Sequence, residues 1–235
     1  MLENAFITVP ETKLPCGLIV PSFQVGQFAA SKSADGKVAS NEAGIPWTRI
    51  TYDEARQACA DSGFDMVTET QWLALAWDVV NQPCNWTKGE VGKGKLFRGL
   101  RYGTVMSPQP GNYVSPDEKE RRWLTLSNGE RICDLNGNVW QWVFDDLDGD
   151  KDGVLTGPKD HSSPSFKTAP YPSEKKGMGF ITTFLGRNGS VPFRGGDWAS
   201  AAVNGVFALN LSYARSVSNH YFGFRPALKK LKPAS

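Results

Sequence analysis

Histidine is almost missing from this chain of 235 residues: His161 and His220 are the only two. No Ser–His–Asp set and no histidine metal cluster is in view. Cysteine is nearly as scarce, and none follows Cys133. Cys16, Cys59, Cys84 and Cys133 show no CxxC spacing, so no zinc-type site is indicated. No apolar run is long enough to span a bilayer, which argues against membrane insertion. An excess of one charge is lacking too: 26 Lys and Arg stand against 24 Asp and Glu, a net of +2. Such a balance gives no strong pull toward nucleic acid or an anionic membrane. The opening Met1-Leu2-Glu3-Asn4 has no basic region followed by an apolar stretch, so no secretory signal is visible.

Glycine, proline and tryptophan are plentiful, at 24, 15 and 8 residues. They point to a loop-rich fold whose irregular backbone is pinned by large aromatic side chains. The length allows a real core, as one large domain or two small ones. The cysteines read as buried free thiols, with one or two disulfides as the alternative.

Residues 1–45 read as short strands and turns. "GLIVPSFQVGQF" is β-prone with Pro21 as a breaker, and "SKSADGKVASNEAG" is a polar loop or hairpin tip. Two helices follow. Thr51-x-x-Glu54 is a capping box, after which Tyr52, Ala55 and Cys59 recur at helical spacing. Thr68-x-x-Gln71 is a second box, followed by a stripe of Trp72, Leu73, Ala76, Trp77 and Val80, with Pro83 as the stop. Beyond Cys84 the chain reads as long loops with short strands. "SNGE", Ser127 to Glu130, is a tight hairpin turn between "WLTL" and "RICDL". Two late strands are expected at 206–211 and 221–227. In the first, Phe207, Leu209 and Leu211 alternate with Val206, Ala208 and Asn210, the pattern of one buried face. The order implies an α+β fold. The expected division is a β/loop segment at 1–45 within the same fold, a main domain at 46–228 and a frayed basic tail at 229–235.

Three stretches then resemble one family. "ITYDEARQACADSGFDMVTETQWLALA" is similar to the helix–loop–helix of the formylglycine-generating-enzyme family, with its T-E-x-E-W run present as Thr68-Glu69-Thr70-Gln71-Trp72. "DLNGNVWQWVFD" resembles that family's G-N-V-W-E-W signature, and "FRGGDW" and "GFRPAL" resemble its closing elements. The resemblance runs from about residue 45 to 228. It implies a C-type-lectin-like fold of the formylglycine-generating subtype, with two helices on small antiparallel sheets and extensive irregular loops. The residues carry their own logic. Asn136-Gly137-Asn138 supplies positive-φ turn conformations. Trp140 and Trp142 share one face of a short strand. Arg194 and Arg225 offer planar forks of donors to loop carbonyls or a carboxylate.

The enzyme branch of that family oxidises a substrate cysteine with paired C-terminal cysteines. Between Trp198 and Gly223 this chain has none. The expectation is a protein that is not an enzyme and requires no cofactor. A closer resemblance is to the variable proteins of diversity-generating retroelements, whose C-terminal segment is copied from a template rich in AAY asparagine codons with its adenines randomised. Gly205, Val206, Phe207, Ala208, Leu209, Asn210, Leu211, Ala214, Ser216, Ser218, Gly223, Phe224 and Arg225 match that segment's fixed positions. Where the template has asparagine, this chain carries Ala199, Ser200, Val203, Ser212, Tyr213, Val217, His220 and Tyr221, while Asn219 still shows it. Changing the adenines of AAY cannot give Lys, Glu, Gln, Met or Trp, and none of these occurs from Ala199 to Phe222. A surface loop of that length normally carries some Lys or Glu. Ala201, Asn204 and Arg215 depart from the usual fixed residues.

The resemblance implies a hypervariable ligand-binding face within about 197–222. Its expected members are Asp197, Ala199, Ser200, Ala202, Val203, Asn204, Ser212, Tyr213, Arg215, Val217, Asn219, His220, Tyr221 and Phe222. Tyr213 and Tyr221 read as contacts or as half-buried packing residues, Phe222 as core or contact, and Asp197 as varied or as a fixed loop acceptor. The implied partner is a protein or other surface-exposed receptor on a target cell, with homo-oligomerisation raising avidity. The implied location is a virion, as part of a phage tail, or a bacterial cell surface; the missing signal favours the former. A formylglycine-generating-type oxidoreductase and a structural virion protein with a fixed partner are the rivals. A further motif stands apart: Asp148, Asp150 and Asp152 precede Gly153 in the D-x-D-x-D-G order of a calcium loop, but Lys159 stands at the twelfth position. A structural Ca²⁺ closed by other groups and a solvated acidic turn both fit. The sugar-binding triplets E-P-N, Q-P-D and W-N-D are absent.

Overall fold

Both capping boxes form, and they set the two long helices. In the computed structural model, which describes residues 4–171 and 174–229, Thr51 Oγ1 accepts from Glu54 N at 3.3 Å while the Glu54 carboxylate accepts from Thr51 N at 2.8 Å. Thr68 and Gln71 repeat the exchange at 3.1 and 2.9 Å. These bonds satisfy amide donors that a helix start otherwise leaves open. They begin α1 (Tyr52–Asp61) and α2 (Glu69–Val80). A short α3 spans Pro164–Lys167. Of the expected tail at 229–235, residues 230–235 lie outside the described residues.

The strands are short. Before α1 come β1 (Phe6–Val9), β2 (Thr12–Lys13), β3 (Ile19–Val20), β4 (Phe23–Gly26), β5 (Ser31–Lys32) and β6 (Val38–Ala39). Between the long helices lies β7 (Phe64–Met66). Then follow β8 (Trp123–Thr125), β9 (Arg131–Cys133), β10 (Trp140–Trp142), β11 (Phe193–Gly195), β12 (Gly205–Asn210), β13 (Phe222–Phe224) and β14 (Pro226–Leu228). One antiparallel sheet has the order β1-β4-β14-β7. A second has the order β12-β11-β10-β13, with β10 and β13 parallel and the rest antiparallel. The pairs β2–β3, β5–β6 and β8–β9 stand alone, and the last turns through "SNGE" with Gly129 at φ +86°. The architecture is α+β, with few helices, small antiparallel sheets and extensive loops.

Three expectations change. The stretch 221–227 is two strands in two sheets, not one. The break falls at Arg225, whose buried guanidinium donates to Gly26 O at 2.8 Å, Cys133 O at 2.8 Å and Gln141 Oε1 at 2.9 Å. Arg225 thus staples β4 of the first sheet to β10 of the second. Strand β12 is buried on both faces: Val206, Phe207, Ala208 and Leu209 are all within 1% of full burial. Trp72 covers one side and donates its indole N–H to Val206 O at 2.7 Å. An irregular stretch covers the open edge, with Phe207 N donating to Met178 O at 3.0 Å and Leu209 N to Phe180 O at 2.8 Å. Helix α2 is buried nearly all round, Ala74 and Leu75 included, rather than along one stripe. It is the central rod of the larger core.

The cysteines are all free, but only Cys59 and Cys133 are buried; Cys16 and Cys84 are exposed. Burial pushes the Cys59 and Cys133 thiols up, so both are inert.

Candidate functional site

Strands β10, β11 and β13 present one aromatic face. Trp140 and Trp142 alternate with Gln141, so both rings point the same way and meet Phe193 at 5.1 Å, edge to face. Phe222 joins at 4.9 Å from Phe193. Gln141 points the other way and donates to Asp134 O at 2.8 Å, a framework role in place of the family's glutamate.

Above this floor lies a cleft of about 450 Å³. Its walls include Asp197, Ser200, Val203, Tyr213, Asn219, Tyr221 and Phe222 from the expected variable set. Trp140, Phe193, Phe180 and Asn210 complete it. The loops at 196–204 and 211–221 enclose it because their main chains are pinned elsewhere. Arg49 N donates to Asn219 O at 3.0 Å, Tyr52 N to Arg215 O at 3.2 Å and Val191 N to Tyr213 O at 3.2 Å. Side chains at Tyr213, Arg215 and Asn219 can therefore change without loss of these three main-chain bonds.

The expected members fall into distinct places. Ala199, Ala202, Ser212 and Tyr213 are exposed. Ser200, Val203, Arg215, Val217, Asn219, His220 and Tyr221 are half-buried. Tyr213 packs on one side only: its ring lies 5.3 Å from Phe193 and 5.1 Å from Phe222, yet it remains 38% exposed. Tyr221 stacks between Trp198 at 5.3 Å and His220 at 3.9 Å. Phe222 is buried in the floor. Asn204 is fully buried and is a framework residue instead of a contact: its amide donates to Asp197 O at 2.5 Å, against Gly196 at φ +98°. Arg215 turns away from the cleft and grips Asp53 at the start of α1, Nε lying 2.9 Å from Oδ1 and 2.7 Å from Oδ2. Arg215 and Asp53 line a separate groove with Arg56 and Asp152.

Asp197 is only 6% exposed. Burial raises its carboxyl above the ordinary range, while the Ser200 hydroxyl, the Ala199 N–H and the Trp140 indole hold it down in part.

Behind the cleft, Arg194 donates Nε to Glu69 Oε2 at 2.9 Å, Nη2 to Glu69 Oε1, and further to Phe207 O at 3.1 Å and Ser165 O at 3.2 Å. This fork ties β11 and β12 to α2 and α3.

The acidic motif is not gathered. Lys159 sends its buried ammonium to Asp145 Oδ2 at 2.7 Å and Asp148 Oδ2 at 2.6 Å. Asp150 accepts from Asp152 N at 2.9 Å and Val154 N at 3.0 Å, and Asp152 pairs with Arg56 at 3.3 Å. Among the described residues no group of three His, Cys, Asp or Glu is placed to hold a metal ion. The residues therefore do not fit calcium: a lysine ammonium occupies the place a cation would take between Asp145 and Asp148. Nor do they fit a thiolate-bound metal, since Cys59 and Cys133 belong to the packed interior, where burial keeps both thiols protonated.

Cleft residues missed in the sequence are Phe180 and Asn210. Asn210 ends the alternation of β12 with an outward side chain, a usable signal; Phe180 sits in "GMGF" with no periodicity. Trp140 and Phe193 were legible as framework, not as floor.

Among solved structures, the Major Tropism Determinant M1 Variant has a TM-score of 0.50 at 12% identity, covering 88% of this chain and 50% of that one. This chain thus spans half the length of the Major Tropism Determinant chains it matches. Treponema denticola variable protein 1 aligns at 15% identity and TM-score 0.49, over 97% of this chain and 95% of its own. CarF aligns at 12% identity and TM-score 0.47, over 97% and 99%. At such identities the likeness concerns the fold alone. No curated protein sequence matches the chain. The model of the sulfatase-modifying factor enzyme 1-like domain matches residues 19–230, a span that holds both long helices, the β12-β11-β10-β13 sheet and the cleft. The chain therefore belongs to the sulfatase-modifying factor enzyme 1-like domain family.

Proposed function

We propose that the chain is a ligand-binding protein, not an enzyme, and that its cleft is a diversified face that recognises a receptor on a target cell. The observation that carries this reading is the meeting of sequence pattern and geometry. Residues 197–222 read as a retroelement-varied segment, and Asp197, Ser200, Val203, Tyr213, Asn219, Tyr221 and Phe222 from that segment line one cleft. Tyr213 and Tyr221 offer amphipathic area at low entropy cost, and Ser200 and Asn219 offer adaptable hydrogen bonds. The fold shared with the Major Tropism Determinant M1 Variant is a suitable scaffold. A phage tail or a bacterial surface display system is the setting this reading favours, with many copies multiplying a weak site.

Sequencing the locus in sibling isolates tests it. Changes should cluster at 199–203 and 212–222 and spare Gly205 to Leu211. Variation there no greater than at 120–142 would instead favour a structural protein with a fixed partner. Robust thiol oxidation by the copper-loaded protein would restore the oxidoreductase reading.

A further inference from the structure

We propose that the cleft accepts a basic side chain, Lys or Arg, presented by a partner protein, with the Asp197 carboxylate as its counter-charge and the surrounding aromatic rings as its walls. This rests on the binding reading above and names the chemistry of the group bound.

Buried carboxylates among the described residues are otherwise balanced. Glu69 pairs with Arg194, Asp134 with Arg122 and Asp145 with Lys159. Asp78 and Glu120 have no cation, but donors reach both oxygens of each. Asp197 likewise has no cation, and its donors hold it less completely. Among the described residues it enters no ion pair, and its hydrogen bond of good geometry is from Ala199 N–H to Oδ1, at 2.8 Å. Its other neighbours, Ser200 and the Trp140 indole, are neutral donors. A carboxylate has room for about four hydrogen bonds, so acceptor capacity remains. Among the described residues no basic side chain lines the cleft, and Asp197 is the one charged side chain there. His220 stands outside, stacked on Tyr221.

The walls suit a cation. Trp140, Tyr213, Tyr221 and Phe222 all line the cleft, and aromatic faces attract ammonium and guanidinium groups. A long aliphatic stem ending in a charge matches an apolar wall above a buried acid. A neutral side chain of the same length would leave the carboxylate without compensation, which gives selectivity against it.

The 235-residue chain can be titrated with N-acetyl-lysine methylamide, N-acetyl-arginine methylamide and the neutral N-acetyl-norleucine methylamide, following tryptophan fluorescence or amide NMR shifts. The cationic probes should bind about tenfold or more tighter than the neutral one, and Asp197→Asn should remove that preference. Asparagine can still accept the Ala199 N–H, so the loop should hold; an unchanged NMR spectrum away from the cleft checks this. Tyr213→Ala, at an exposed position, is the second variant and should weaken the cationic probes with the loop intact. Equal binding of all three probes, no binding of any, or full selectivity in Asp197→Asn overturns the inference. Against receptor-bearing cells the two readings separate. If Tyr213→Ala abolishes attachment while Asp197→Asn does not, the cationic subsite falls and the binding face stands. If neither variant alters attachment, the binding face itself falls.

Discussion

Glu69 and Arg194 lie 125 residues apart in sequence and form a fully buried, forked ion pair. Burial alone would raise the Glu69 carboxyl, but Arg194, Lys159 and the Ser165 hydroxyl outweigh it and hold it below the usual glutamate range. The folded value is depressed, so the pair's contribution is present above the ordinary carboxylate range, about pH 4 to 5, and is lost as pH falls through the folded value. Glu69→Gln should cost about 3–5 kcal/mol in urea unfolding near neutral pH, because Arg194 is left buried without its partner. The variant should also lose less stability than the wild type between about pH 5 and 3. Asn204 shows the same logic with neutral groups. Asn204→Ala should cost about 1–3 kcal/mol, since it removes the amide that meets Asp197 O.

Among the elements, α2 is capped at its start and buried along most of its length. Its first turn carries the Thr68 cap, and Glu69 opens it toward Arg194. Thr68→Ala should lower stability by about 1 kcal/mol in chemical denaturation, with Thr68→Ser close to wild type. The loop at 211–221 is held differently. Its Arg215–Asp53 pair is more than a third exposed on both sides, so solvent screens it. Arg215→Ala should cost no more than about 1 kcal/mol, because the main-chain bonds from Arg49, Tyr52 and Val191 remain. Hydrogen exchange of Val191 N–H, which donates to Tyr213 O, is the direct check.

At the scale of the molecule, the buried staples and the outer walls of the cleft use different residues. The interior is stapled by Arg225 across the two sheets and by Arg194 across helices and strands, while the cleft's outer side chains hang on loops fixed through their backbones. Replacing Ala199, Ala202 and Ser212 together with asparagine should leave the melting temperature within a few degrees, as surface changes away from caps and buried groups are small. Arg225→Met should instead lower it steeply, since it leaves the carbonyls of Gly26, Cys133 and Asp134 without their donor. Burial, opposed in part by Cys133 and Asp134, pushes the Arg225 guanidinium down to about 10, so it remains charged at neutral pH and keeps those bonds.

What the sequence settled by itself was local or carried by motif. The capping boxes, the "SNGE" turn, the two-residue spacing of Trp140 and Trp142 and the forks of Arg194 and Arg225 follow from bonds within a few residues or from side-chain chemistry. Tertiary structure decided the rest. Alternation along β12 predicts a half-exposed strand, but Trp72 and the 178–182 stretch cover it, and coverage is not written in a strand's own period. A D-x-D-x-D-G order predicts gathered carboxylates, but Lys159 folds back between Asp145 and Asp148 with its own charge. The expected variable set holds Asn204 and Tyr213 alike, yet one amide turns inward to Asp197 O and one ring turns outward above Phe193. Direction of that kind depends on which neighbours compete for the space, and those neighbours come from distant parts of the chain.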